Sequence, residues 1–241
     1  MAKSYSFRKL LSHLGHRSHG PKWAELSRQT KIEKFLIAEI MYQGNKQNKR
    51  IDNHRFWFEE CLRDLVIRKD DCLVDWVEAK MCFTDCLARE KLAKLGCKRR
   101  RKGELRYWIY EYFEALKEDA KEQQKRFKKL LKKEKNRPRN LPVRLTLLLF
   151  AVHHYKPLDP DKVNPFSNKY SNRFNDRDHY KLDQSAILKE ARRHVDMKIK
   201  PALKREGYNR VQKFKIQLGN DCELHVFAFY KSIPAGGHPP K

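Results

Sequence analysis

No stretch of this 241-residue chain comes near the roughly 18 apolar residues that a membrane-spanning helix needs. The opening residues, Met1 to Phe7, lack the apolar core of a secretory signal, so a cytoplasmic location is expected. Cysteine is sparse and scattered, at Cys61, Cys72, Cys82, Cys86, Cys97 and Cys222, with no C-x-x-C pair among them. That spacing speaks against a zinc knuckle and a disulfide framework; the thiols read as reduced, small hydrophobes. A G-x-x-x-x-G-K-[ST] loop is missing, which excludes a P-loop motor within this chain. No internal repeat occurs. Acidic residues are the scarcest class relative to their opposites: 30 Asp+Glu against 55 Lys+Arg give a formal charge of +25 and a pI near 9.9. An excess of that size calls for a polyanion, and nucleic acid is the expected one.

The most informative stretch is Leu73-Val-Asp-Trp-Val-Glu-Ala-Lys-Met81. It is apolar enough to be a buried strand, and period-2 alternation puts Val74, Trp76, Glu78 and Lys80 on one face. Two opposite charges on the inner side of a strand are costly unless something pairs with them. A divalent metal held by Glu78, with Lys80 facing the same centre, resolves the conflict. Upstream, Leu62-Arg-Asp-Leu-Val-Ile67 is a second strand-like run carrying Asp64, and Arg68-Lys-Asp-Asp-Cys72 is polar enough to turn between the two. A hairpin would then bring Asp64, Glu78 and Lys80 together.

Asp64 followed by Glu78-Ala-Lys80 resembles the signature of the PD-(D/E)XK, or restriction-endonuclease-like, nuclease superfamily, although no proline precedes Asp64. The resemblance implies an α/β (α+β) fold with a mixed central sheet flanked by helices. It implies a metal-dependent phosphodiesterase, a nuclease, acting on nucleic acid, with DNA the expected substrate. Mg²⁺ (or Mn²⁺) would be held by Asp64, Glu78 and the Ala79 carbonyl, with Lys80 orienting the attacking water or stabilising the phosphate. A helix before the sheet often adds a glutamate in this superfamily, and Glu39 is the candidate. The alternative is a non-catalytic basic protein that binds DNA or RNA. A second copy of the chain is an open partner; a membrane is not expected. An RNA reader of the RRM type would carry its aromatic residues on strands, whereas Tyr107, Tyr110 and Phe127 sit in a helical pattern.

Residues 1–20 read as a basic arm. Apolar residues from Trp23 to Met41 recur at helical spacing, with Gly44 and Asn45 as the stop. A polar loop leads to a strand at Phe56. After the strand at 73–81 come a short helix at 87–95, a basic loop of Lys98, Arg99, Arg100, Arg101 and Lys102, and a long helix from Glu104 to about Lys135. The end of that helix carries Lys125, Arg126, Lys128, Lys129, Lys132 and Lys133, and these two basic segments are the expected nucleic-acid contacts. Residues 104–139 form a basic extension of a domain spanning 21–231. The run at 143–152 reads as a central strand, apolar on both faces. His153 and His154 at its exit read as a core-edge pair. A helix at 183–205, interrupted near Pro201, and a hairpin at 211–230 follow, and the Pro/Gly-rich tail at 232–241 is expected to be disordered.

Overall fold

The computed structural model describes residues 5–29, 32–47, 54–57, 65–84, 117–118, 120–127, 138, 141–156 and 183–233. Among them six strands form one mixed sheet: β1 (His54–Trp57), β2 (Leu65–Lys69), β3 (Cys72–Phe83), β4 (Val143–His154), β5 (Arg210–Gln217) and β6 (Cys222–Ile233). Their order is β1-β2-β3-β4-β6-β5. Every neighbouring pair is antiparallel except β3 and β4, which run parallel at the centre. The expected strands at 73–81 and 143–152 and the terminal hairpin are all present. The β2–β3 hairpin closes on Asp70 (φ 45°) and Asp71 (φ 62°), both left-handed, as a two-residue type I′ turn demands. Aspartate tolerates that region better than most side chains.

β4 explains its own composition. It lies between β3 and β6, and every residue from Leu145 to His154 is buried. Even-numbered members such as Leu148, Phe150 and Val152 enter one apolar cluster, and odd-numbered ones such as Leu145, Leu147 and Leu149 enter another. A parallel pair needs a crossover, and helical residues 120–127 lie within it, burying Ala120 and Phe127 on the second face beside Trp76. The same face is covered by Gln184–His194, a π turn over Val195–Ile199, and Lys200–Arg205. The first face is covered by Phe7–Leu11, Gly20–Gln29 and Glu33–Lys46. These helices are called, in chain order, α1 (Phe7–Leu11), α2 (Gly20–Gln29), α3 (Glu33–Lys46), α4 (120–127), α5 (Gln184–His194) and α6 (Lys200–Arg205).

The N-terminal arm is a correction. Phe7, Leu10, Leu11 and Leu14 are at most 1% exposed and join the first cluster. Their spacing, i, i+3, i+4, i+7, is that of an amphipathic helix, and the interleaved basic residues hide it. The single helix expected from Trp23 to Met41 is two, α2 and α3. Gly44 does not stop α3, which runs on to Lys46. It sits where a Cβ would come within 2.5 Å of the Phe56 ring, so the missing side chain lets the helix pass over β1. Asn45 then completes the edge of β1: its amide donates to the Phe56 carbonyl (2.8 Å) and accepts from the Phe56 N–H (2.9 Å). Gly44→Ala is expected to cost about 1–3 kcal/mol through overpacking, measurable by urea denaturation.

Pro201 does not break the last helix. Four-residue steps from Ile187 through Ala191 and Val195 to Ile199 are all buried. Three such steps overshoot the 3.6-residue turn by about one residue in total. A π turn absorbs one extra residue, which keeps Ile199 facing the sheet and seats Pro201, whose ring and missing N–H an α-helical interior would not tolerate. The expected helix at 87–95, the loop at 98–102, most of 104–135, the loop from 157 to 181 and the tail beyond 233 lie outside the described residues.

Candidate functional site

β3 carries the site. From Trp76 onward, alternation places Trp76, Glu78, Lys80, Cys82 and Thr84 on the second face, and Val77, Ala79, Met81 and Phe83 on the first. Val74 does not share the face of Glu78, contrary to the simple period-2 count. Ile67 pairs with Asp75 and Arg68 with Leu73, so Val74 is the extra residue of a bulge and packs toward the first cluster. Glu78 and Lys80 are half-buried. Glu78 Oε1 accepts from the Trp76 indole N–H at 3.2 Å. Their β4 partners are Leu147 and Leu149, and beyond these on β6 stand Phe229 and Phe227. The two charges therefore stand at the margin of an apolar row, where an electrostatic interaction is stronger than in water.

The structure does not bring Glu39 to Glu78. Glu39 lies on α3, on the opposite face of the sheet, where its carboxylate meets His13 Nε2 at 2.7 Å and accepts from Gln43 at 2.9 Å. The acid of α3 that does reach β3 is Glu33, whose Oε2 accepts from the Met81 N–H at 2.7 Å. That bond shows the Met81 backbone directed away from β4. Alternation then directs the Ala79 carbonyl to the same edge, the side on which β2 pairs with Val77. Glu33 was not legible as a site residue, because a first-turn acid reads as a complement to the helix dipole. Asp64 lies outside the described residues, as do Lys98, Arg99, Arg100, Arg101, Lys102, Lys128, Lys129, Lys132 and Lys133. Lys125 is exposed on α4, and Arg126 pairs with Glu122 one turn earlier.

A second polar group lies on the same face, toward the carboxyl ends of the parallel strands. Thr84 Oγ1 and His153 Nδ1 are 2.6 Å apart, and His153 packs edge-on against Tyr155 with centroids at 4.4 Å. On β6, Glu223 receives the Lys215 ammonium at 2.9 Å and the His225 Nε2–H at 2.9 Å. Burial raises the Glu223 carboxyl, but the Lys215 hydrogen bond and His225 outweigh it and hold the group below its ordinary value. Burial, and then the Arg192 guanidinium, depress His225 to about 4 against the opposing pull of Glu223. An unfolded imidazole takes up its proton near 6.5, so the unfolded chain gains protons first as pH falls. The stability from neutral His225 is complete above pH 6.5 and is lost between 6.5 and about 4, on the order of 3 kcal/mol. His225→Asn is expected to flatten the stability–pH curve in that window; a slope equal to wild type would show that His225 is not the titrating group.

Two other clusters are structural. Ser27 lies 3.1 Å from His154 Nε2 and 4.0 Å from Cys222 Sγ, but Ser27 and Cys222 are fully buried and His154 is 5% exposed, so no substrate reaches them. Asp75, 1% exposed, accepts from Tyr5, from Arg144 at 2.7 and 2.9 Å and from Thr146 at 2.8 Å. The Arg144 guanidinium lies between the rings of Tyr5 and Tyr230, at 5.0 and 4.7 Å from their centroids. No group of three or more His, Cys, Asp or Glu side chains able to hold a metal occurs among the described residues. Cys72, Cys82 and Cys222 form no disulfide. No helix among these residues is long and apolar enough to cross a membrane. No protein-family model matches this chain, and neither a curated protein nor a solved structure is similar to it.

Proposed function

We propose that this protein is a metal-dependent phosphodiesterase acting on nucleic acid, with the restriction-endonuclease-like arrangement and DNA as the substrate. The observation that carries the reading is the pair Glu78 and Lys80, side by side on one face of a central strand and backed by leucine and phenylalanine. The order helix, three strands, helix, strand up to β4, with β3 and β4 parallel, supports it. So does the hairpin register, in which Leu65 pairs with Val77, the residue before Glu78. The donors fit a hard, oxygen-seeking ion in kind: the Glu78 carboxylate and the Ala79 carbonyl, with Asp64 as the second acid. Mg²⁺ bound there would supply charge neutralisation at the phosphate and a more acidic water.

The chain's own part is positional and electrostatic. Trp76 fixes the Glu78 carboxylate through the indole N–H. Lys80, one alternation further along, places an ammonium where negative charge develops on the phosphorane. Glu33 ties α3 to the β3 edge next to Lys80 through the Met81 N–H. The test is incubation of supercoiled plasmid and single-stranded DNA with Mg²⁺ or EDTA, for wild type and Lys80→Ala. Mg²⁺-dependent cleavage that is lost in the variant supports the reading; binding without cleavage by wild type returns the protein to the non-catalytic binders.

A further inference from the structure

From residue 189 to 215, all described, the chain exposes ten lysines and arginines and not one acid. The three acids in the interval are half-buried, and two of them are engaged: Glu190 by Arg193 and Asp196 by Lys213. On α5 and α6 the cations Lys189, Arg193, Lys200 and Lys204 fall at helical spacing opposite the buried stripe of Ile187, Ala191, Val195 and Ile199. Asp196 brings Lys213 of the edge strand β5 alongside.

We infer that this stripe, with the β5 edge beside it, is the track along which the protein holds the phosphate backbone of nucleic acid. The inference rests on the nucleic-acid part of the proposed function and assigns it to a surface other than the basic segments 98–102 and 125–133. Three observations carry it. The stripe lies on the same side of the sheet as Glu78 and Lys80, because α5 and α6 pack on the cluster that contains Trp76 and Phe229. Its length suits a backbone: Lys189 to Lys204 spans about 22 Å of helix, or about six phosphates of one strand. A membrane surface is the wrong occupant, since the apolar side of these helices is spent on the sheet and Met197, in the π turn between them, is the one large apolar side chain exposed over residues 184–205. Lysines on an edge strand do serve to block pairing with other chains. That function accounts for Lys213 and Lys215 and leaves the helical stripe unexplained.

The test uses the full chain with the four stripe cations replaced, Lys189→Ala, Arg193→Ala, Lys200→Ala and Lys204→Ala, in EDTA so that the probe stays intact. Affinity for a short duplex DNA is measured over a series of salt concentrations. The slope of log K against log salt should be shallower by about 3–4, one counterion release per lost contact. Lys200→Ala with Lys204→Ala alone should give about half of that loss. The charge-keeping set Lys189→Arg, Arg193→Lys, Lys200→Arg and Lys204→Arg should keep most of the wild-type slope. Duplex RNA and single-stranded DNA identify which backbone is held. A wild-type slope in both alanine variants overturns the inference and leaves nucleic-acid binding to the other basic segments. If wild type holds anionic lipid vesicles and no nucleic acid of any kind, the inference and the nucleic-acid reading fall together.

Discussion

Lys80→Ala is expected to lower Mg²⁺-dependent cleavage of plasmid DNA by about 100- to 1000-fold, the usual loss when one charge-stabilising group is removed from a phosphoryl or acyl transition state. On the proposed chemistry the deficit lies in kcat, because Lys80 acts on charge that appears as the reaction proceeds. DNA affinity in EDTA should stay close to wild type, since one ammonium is a small part of a +25 chain. Glu78→Gln should be at least as damaging, and its loss should deepen as Mg²⁺ is lowered, because a carboxamide is a poor ligand for a hard cation. Glu39→Gln should leave cleavage intact, as its carboxylate serves His13 on the other face. Cleavage by Lys80→Ala at the wild-type rate, or an undiminished rate in EDTA, would defeat the nuclease assignment.

The largest effect on stability is expected at Asp75. Asp75→Ala leaves the half-buried Arg144 charge without its partner and strands the hydroxyls of Tyr5 and Thr146. Breaking a fully buried pair costs about 3–5 kcal/mol; with Arg144 30% exposed, water recovers part of this, and a loss of about 2–4 kcal/mol is expected, a large part of the 5–15 kcal/mol that holds a typical domain together. The loss should appear as a lower urea midpoint with an unchanged m-value. Removing both charges, Asp75→Leu with Arg144→Met, should recover most of it, because well-packed apolar residues replace a buried pair at little cost. A double variant no more stable than Asp75→Ala would show that the hydroxyl partners matter more than the charge. The cluster also anchors the N-terminal segment through Tyr5, so amide exchange in α1 should quicken in Asp75→Ala.

How far the chain could be read residue by residue follows from the range of each signal. The strands at 73–81 and 143–152 and the terminal hairpin were legible because their periodicity lies within one segment. A turn within Arg68–Cys72 was legible for the same reason, and the structure narrows it to Asp70 and Asp71. Phe7, Leu10, Leu11 and Leu14 carried a readable helical pattern, yet the surrounding basic residues suggested a solvated arm. Gly44 looked like a stop, since glycine usually ends helices, and only the Phe56 ring across from it explains its place inside α3.

Composition and local periodicity by themselves determined the mixed α and β content, the two-faced central strand, the strongly basic surface and the placement of Glu78 and Lys80 on one side of β3. These depend on neighbours a few residues apart, where alternation and charge count suffice. Tertiary structure alone decided that Val74 is a bulge, that Glu33 and not Glu39 reaches β3, that the buried Asp75 carboxylate pairs with half-buried Arg144, and that a basic stripe on α5 and α6 shares the face of the candidate site. Each of these is a relation between segments tens of residues apart. Such relations are set by which faces pack together, and a linear pattern carries no record of that choice.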